Sequence, residues 1–161
     1  MKICDFGLAF AFEPFTLNAT KLAGTPDYAA PEMFSFHFAN NQSQIASPPS
    51  SRMFFYDEKV DVWSYGMVLW ALFTAEQPFG GIRQSESILR EHWEKLQNDS
   101  NYRPKIPTVW PADKEKKMAN EMKRFEEVMT KCWQVIAIDR PSFTDIVQQL
   151  SPPQPTNTIE G

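Results

Sequence analysis

The sequence predicts a mainly α-helical fold in which a long irregular segment precedes a helical body. Three observations carry that expectation. First, the 13 prolines are about 8% of the chain, above the usual 5% or so. Because proline breaks helix interiors, the proline-free windows at residues 50–77, 79–103, 112–140 and 142–151 are taken as the helix candidates. Second, each window carries apolar residues at helical spacing. Third, strand signals are weak throughout, and no internal repeat points to a solenoid.

In the first window, residues 60–75 contain Val60, Val62, Trp63, Tyr65, Met67, Val68, Leu69, Trp70, Leu72 and Phe73. Wrapped at 3.6 residues per turn, these leave no broad polar face. A helix apolar on all sides is expected to be buried on all sides, at the centre of the fold. The second window carries Ile88, Leu89, His92, Trp93 and Leu96, the single buried stripe of a surface helix. The third carries Phe125, Val128, Met129, Cys132 and Trp133 with the same logic. The fourth follows Pro141 with Phe143, Ile146, Val147 and Leu150, and Ser142 three residues before Asp145 suits an N-terminal cap.

The remaining stretches read as loops. Residues 1–34 are rich in Gly, Pro, Thr and Phe without sustained periodicity. Residues 35–52 are Ser-, Pro- and Asn-rich and resemble a polar surface insertion. Residues 53–150 form the helical subdomain, and 151–161, opening Ser-Pro-Pro-Gln-Pro, are expected to be a disordered tail.

Charge and cysteine usage narrow the function classes. Sixteen Lys and Arg against 20 Asp and Glu give a net charge of −4. That argues against a generic nucleic-acid or anionic-membrane binder, which needs a basic surplus. The two cysteines, Cys4 and Cys132, have no metal-like spacing and make no disulfide framework, so a reducing, cytoplasmic setting is expected. The most apolar run, residues 66–75, is about half the length a bilayer-spanning helix needs. His37 and His92 stand apart without ligand-spaced partners, and His92, on an apolar stripe, reads as a packed residue.

Four motifs occur in order. Asp5-Phe6-Gly7 is followed by Gly24-Thr25-Pro26-Asp27-Tyr28-Ala29-Ala30-Pro31-Glu32. Then come Asp61-Val62-Trp63-Ser64-Tyr65-Gly66 and Asp139-Arg140-Pro141-Ser142-Phe143. This set resembles the C-terminal lobe of a eukaryotic protein kinase. Lys131-Cys132-Trp133 ahead of the last motif looks like the tyrosine-kinase and tyrosine-kinase-like groups. The Gly24–Tyr28 stretch is similar to serine/threonine kinases instead. The combination resembles a tyrosine-kinase-like serine/threonine kinase over residues 2–150, interrupted at 35–52.

The resemblance implies a fold in which an activation segment, residues 1–34, precedes a buried central helix and three further helices. It implies ATP and Mg²⁺ as cofactors and a protein as substrate. Asp5 would hold the Mg²⁺ that bridges the nucleotide phosphates, a role for which a hard carboxylate oxygen is suited, with Phe6 packed beneath the site and Gly7 beside it. Thr25 resembles the threonine that hydrogen-bonds the catalytic base and separates serine/threonine from tyrosine specificity. Thr16 and Thr20 lie in the activation loop, where a phosphate would order the loop through an Arg partner. Glu32 and Arg140 are implied to pair in space, a structural contact for which the planar guanidinium fork is suited. Asp61 looks like the central-helix aspartate that braces the catalytic loop by accepting backbone N–H bonds. Each has a plainer alternative: a solvated loop aspartate for Asp5, a turn residue for Thr25, a helix-start charge for Asp61.

Other parts of such a kinase have no counterpart among these 161 residues: there is no G-x-G-x-x-G, no V-A-I-K-like lysine and no H-R-D-like loop. The chain therefore reads as a fragment lacking the N-lobe and catalytic loop, inactive by itself. Its central helix is expected to leave an apolar patch where an upstream helix packs, making the isolated chain marginal. Two rival readings stay open here. One is a non-catalytic module docking on a partner kinase or substrate through residues 88–96. The other is a fragment of a pseudokinase.

Overall fold

A computed structural model describes residues 2, 4, 6–9, 24–41, 57–82, 85–106 and 116–151. Among them are five α-helices and no strand: α1 (Pro31–Asn41), α2 (Lys59–Thr74), α3 (Glu86–Asn98), α4 (Lys116–Cys132) and α5 (Phe143–Leu150). Short 3₁₀ turns occupy Phe6–Leu8, Pro26–Tyr28, Pro78–Gly80 and Ala137–Asp139.

Helix α2 is the centre of the fold, as its composition demands. Val62, Trp63 and Met67 are fully buried, with Val60, Leu69 and Trp70 nearly so. It crosses α4 at Gly66, where a Cβ would sit 2.8 Å from the Cβ of Cys132 and 3.3 Å from the carbonyl oxygen of Met129. Only glycine allows the two helices to approach this closely. From α4, Val128, Met129 and Cys132 are buried against α2, and Trp133 follows just past the helix end. Burial pushes the Cys132 thiol up to about 12, so it is a packing group.

The last helix begins as its sequence predicts. Ser142 Oγ accepts from the Asp145 N–H at 3.1 Å, and Asp145 Oδ2 accepts from the Ser142 N–H at 2.9 Å, a reciprocal capping box. The other end of α5 is tied to α4 by Arg124, whose guanidinium donates to the carbonyls of Gln149 and Ser151.

Three expectations need correction. Residues 31–41, read as loop and insertion, form α1. Pro31 opens the helix where its missing N–H costs nothing, and Phe34 and Phe38, one turn apart, are buried. Two anchors one turn apart, with Phe36 between them, make too short a stripe to read as helical spacing. It packs on α3: the Phe38 and Trp93 rings lie 5.4 Å apart, Arg90 stands 4.4 Å over Phe38, and Ser35 Oγ accepts from Trp93 Nε1 at 3.1 Å.

Second, α2 is not buried on all sides, which leaves the open patch also expected of it. Asp61 is exposed, Tyr65 and Val68 are half-buried, and Leu72 is 65% exposed. At 100° per residue these four positions fall on one open stripe. Third, Phe143 and Val147 of α5 face outward, leaving Ile146 as its buried anchor. Leu150, one turn on, is half-buried against the core, and the Phe143 ring meets Tyr65 of α2 edge-on at 5.9 Å.

On α3, Leu89, His92 and Leu96 are buried and Ile88 is exposed. The neutral His92 shares a hydrogen bond between Nδ1 and the Tyr102 hydroxyl at 3.0 Å, while its buried Nε2 has no partner among the described residues. Burial first, then the Lys95 and Arg103 charges, lower its pKa from 6.5 to about 4. It is a packed residue, as its place on the stripe suggested.

Candidate active site

Asp5, Thr16 and Thr20 lie outside the described residues. Phe6 and Gly7 open the first 3₁₀ turn, in which the Ala9 N–H donates to the Phe6 carbonyl at 3.0 Å. Phe6 was expected to pack beneath the site; instead it is 68% exposed. A phenyl ring buries itself only where apolar surface meets it, and none of the described core side chains covers this one.

The Gly24–Ala30 stretch is built to a definite shape. Gly24 has φ +89°, a conformation open to glycine. Thr25 is extended, and its carbonyl accepts the Tyr28 N–H at 3.0 Å, closing the Pro26–Tyr28 turn. The stretch is fastened to α2 by Ser64, whose hydroxyl lies 2.8 Å from the Tyr28 carbonyl. It is fastened on the other side by Asp27, whose Oδ1 accepts the Ile82 N–H at 2.6 Å. Thr25 itself is exposed, and its hydroxyl makes no hydrogen bond among the described residues. The residue singled out for chemistry is therefore presented on a turn whose neighbours hold the shape.

Glu32 and Arg140, 108 residues apart, meet as a two-pronged ion pair. Arg140 Nη1 donates to Glu32 Oε1 at 2.6 Å and Nη2 to Oε2 at 2.9 Å. The guanidinium also donates to the carbonyls of Gln134 (2.8 Å), Lys59 (2.9 Å) and Val135 (3.1 Å), so all five of its N–H donors are used. Arg140 is 2% exposed, a position tolerable for a charge only because every donor is satisfied. In return, Lys59 Nζ donates to the Arg140 carbonyl at 2.6 Å.

Trp63 completes the cluster. Its ring has the Arg140 guanidinium at 5.1 Å and the Arg103 guanidinium also at 5.1 Å. Two cations share one π-system, an arrangement strengthened by desolvation. Burial, then the Arg140 charge, lowers the Arg103 pKa below its usual range. Arg103 nonetheless reaches the carbonyls of Tyr102 at 2.7 Å and Trp133 at 3.2 Å. Sequence reasoning placed Trp63 in the core but gave no sign that it bridges two cations. Lys59, Arg103 and Asp27 were missed altogether, because an isolated charged residue in a loop or at a helix end looks like a solvated one.

Asp61 stands at the start of α2 on its open stripe, and its carboxylate accepts no hydrogen bond among the described residues. Although the residue as a whole is exposed, the protein around its carboxylate removes enough water to raise its pKa above the usual aspartate value. The described residues thus unite Glu32, Trp63 and Arg140 and leave Asp61 and Thr25 without side-chain partners. No group of three or more His, Cys, Asp or Glu among them could hold a metal ion. The fit of Mg²⁺ therefore rests on Asp5, outside the described residues. No described helix is long and apolar enough to cross a membrane.

This mainly helical body, with its Ala-Pro-Glu glutamate locked to the arginine of Asp-Arg-Pro, is that of a protein kinase domain. The profile of that family matches residues 1–150, and the chain belongs to it. Among curated proteins it is similar to a probable serine/threonine-protein kinase, SIS8, of Arabidopsis thaliana, 30% identical over 93% of this chain and 11% of that one. It is also similar to the dual specificity protein kinase shkB of Dictyostelium discoideum, 32% identical over 92% of this chain and 18% of that one. A third relative is mitogen-activated protein kinase kinase kinase 7 of Drosophila melanogaster, 31% identical over 91% of this chain and 16% of that one. The chain thus spans less than a fifth of the length of these relatives.

Proposed function

We propose that this chain is the C-terminal-lobe part of a serine/threonine protein kinase of the tyrosine-kinase-like group. The complete form transfers the γ-phosphoryl group of ATP to a serine or threonine hydroxyl of a protein substrate in the cytoplasm. The observation that carries this reading is the convergence of Glu32, Trp63 and Arg140, drawn from three separated motifs, on one buried cluster. The open stripe on α2 supports it further. A face bearing Asp61, Tyr65, Val68 and Leu72 offers a carboxylate acceptor beside an apolar seat, as suits an upstream helix followed by a catalytic loop.

In this reading Asp5 holds Mg²⁺, with Phe6 and Gly7 shaping the turn beside it. The ion would neutralise charge on the nucleotide phosphates. Thr25 contacts the catalytic base and favours serine or threonine acceptors. Thr16 and Thr20 are phosphate acceptors that order the activation segment. Glu32 and Arg140 do no chemistry; they fix the segment that carries Thr25 to the helical body. By themselves the 161 residues transfer no phosphate, since the base and the second metal ligand are not among them.

The test is Asp5→Ala in the full-length protein. ATP-dependent labelling of a protein substrate should disappear while the melting temperature stays put. Labelling at the wild-type rate would overturn the metal-binding role.

A further inference from the structure

We propose that Asp27 is a positioning residue that ties the Thr25 segment to the turn between α2 and α3, making the seat of α3 part of how the acceptor substrate is held. This rests on the kinase reading above and extends it to the regulation of the same site.

Asp27 is 5% exposed, an unusual place for a carboxylate. Its Oδ1 lies 2.6 Å from the Ile82 backbone nitrogen, a short charge-assisted hydrogen bond across 55 residues. The N–H it captures is delivered by a turn with three successive positive φ angles: Phe79 at +54°, Gly80 at +76° and Gly81 at +83°. For the two glycines this conformation is free. For phenylalanine it is strained, and strain of this kind persists only where the surroundings enforce it.

The enforcement is visible. The Phe79 ring stacks on Tyr102 at 5.1 Å with a 29° interplanar angle, and meets His92 edge-on at 4.7 Å. His92 in turn meets Phe34 of α1 at 5.4 Å and hydrogen-bonds the Tyr102 hydroxyl. The ring cluster that seats α3 against α1 therefore also fixes the turn that presents the Ile82 N–H to Asp27. Asp27 lies in the middle residue of the Pro26–Tyr28 turn, whose first hydrogen bond ends on the Thr25 carbonyl. A displacement of α3 has a short, contiguous route to Thr25: the Phe79 ring, the Ile82 N–H, the Asp27 carboxylate and the 3₁₀ turn.

The experiment compares wild type, Asp27→Ala and Asp27→Asn in the full-length protein. Asp27→Ala should raise the KM for the protein substrate about tenfold, the equivalent of one charge-assisted hydrogen bond, and leave the KM for ATP unchanged. Asp27→Asn keeps an acceptor oxygen and should restore the KM for the protein substrate to within about threefold of wild type. A residue that merely stabilised the fold would lower the amount of active enzyme and move neither KM, and that outcome overturns the proposal. Amide hydrogen exchange in the same variants is independent of turnover. In Asp27→Ala the Ile82, Tyr28 and Ala29 amides should exchange at least about tenfold faster, while the α2 amides keep their protection. Unchanged exchange at those three amides would dispose of the tether. A wild-type protein that transfers no phosphate, yet shows this exchange pattern, would remove the kinase reading and leave the tether standing.

Discussion

The two sides of α2 differ in how completely they are finished. On one side the Trp63 ring has two guanidinium groups each 5.1 Å away, Gly66 comes up against α4, and Arg140 uses every donor it has. On the other, Asp61 has no hydrogen-bond donor among the described residues and Leu72 is largely in solvent. One helix thus carries a closed face, on which the buried Trp63 Nε1 is the polar atom left without a partner among the described residues, and an open apolar one. The difference teaches that apolar composition all round a helix announces total contact area, and leaves open which contacts this stretch of chain itself supplies.

Breaking the closed side should have the largest effect. Arg140→Ala leaves the half-buried Glu32 carboxylate and several buried carbonyls unpaired and should cost about 3 kcal/mol in chemical denaturation. Glu32→Gln retains shape but not charge and should cost less than Arg140→Ala. Near-equal stability of Arg140→Ala and wild type would mean the pair is dispensable.

Acid should attack the same body through His92. Its folded pKa of about 4 lies below the ordinary 6.5, so between these values the unfolded chain binds a proton that the folded chain refuses. Stability is complete above about pH 6.5 and falls as pH drops towards 4, by roughly 3 kcal/mol over those 2.5 units. Denaturation midpoints from pH 7.5 to 4 check the slope, and His92→Phe should flatten it.

Gly66→Ala forces a methyl group into a 2.8 Å gap against Cys132. It should cost about 1–3 kcal/mol, unless α2 and α4 can part without loss. Ser142→Ala removes the oxygen that caps α5 and should lower stability by about 1 kcal/mol, with the loss confined to α5 in hydrogen exchange. The smallest effect is predicted on the open face. Leu72→Ser should change the stability of this chain by no more than about 0.5 kcal/mol, because little contact is lost.

Much of the helical body was legible in the sequence. The proline-free windows contain α2 through α5, and the cap of α5 could be named because a capping box is a local event between residues three apart. Helix α1 was not legible. Its two buried phenylalanines make a single pair of anchors whose burial depends on α3, a tertiary fact without a local signal. The candidate site divides the same way. Glu32 and Arg140 could be matched through their motifs, whereas the Asp27–Ile82 contact depends on a strained Phe79 that local sequence preference would not predict. The exposure of Phe6 also lay beyond the sequence, since a phenylalanine in a motif reads as packed whatever its surroundings.

The kinase reading requires the open face of α2 to be a seat for another part of the domain. Leu72→Cys in a Cys4→Ser background tests this directly, because Cys132 is buried with its thiol pushed up to about 12 and should stay silent. In the 161-residue chain a thiol reagent should label position 72 at close to the rate of a free thiol. In the full-length protein the rate should fall about a hundredfold as a packed helix covers it. Equal labelling in both would contradict the account, showing that nothing of the kinase sits on that face.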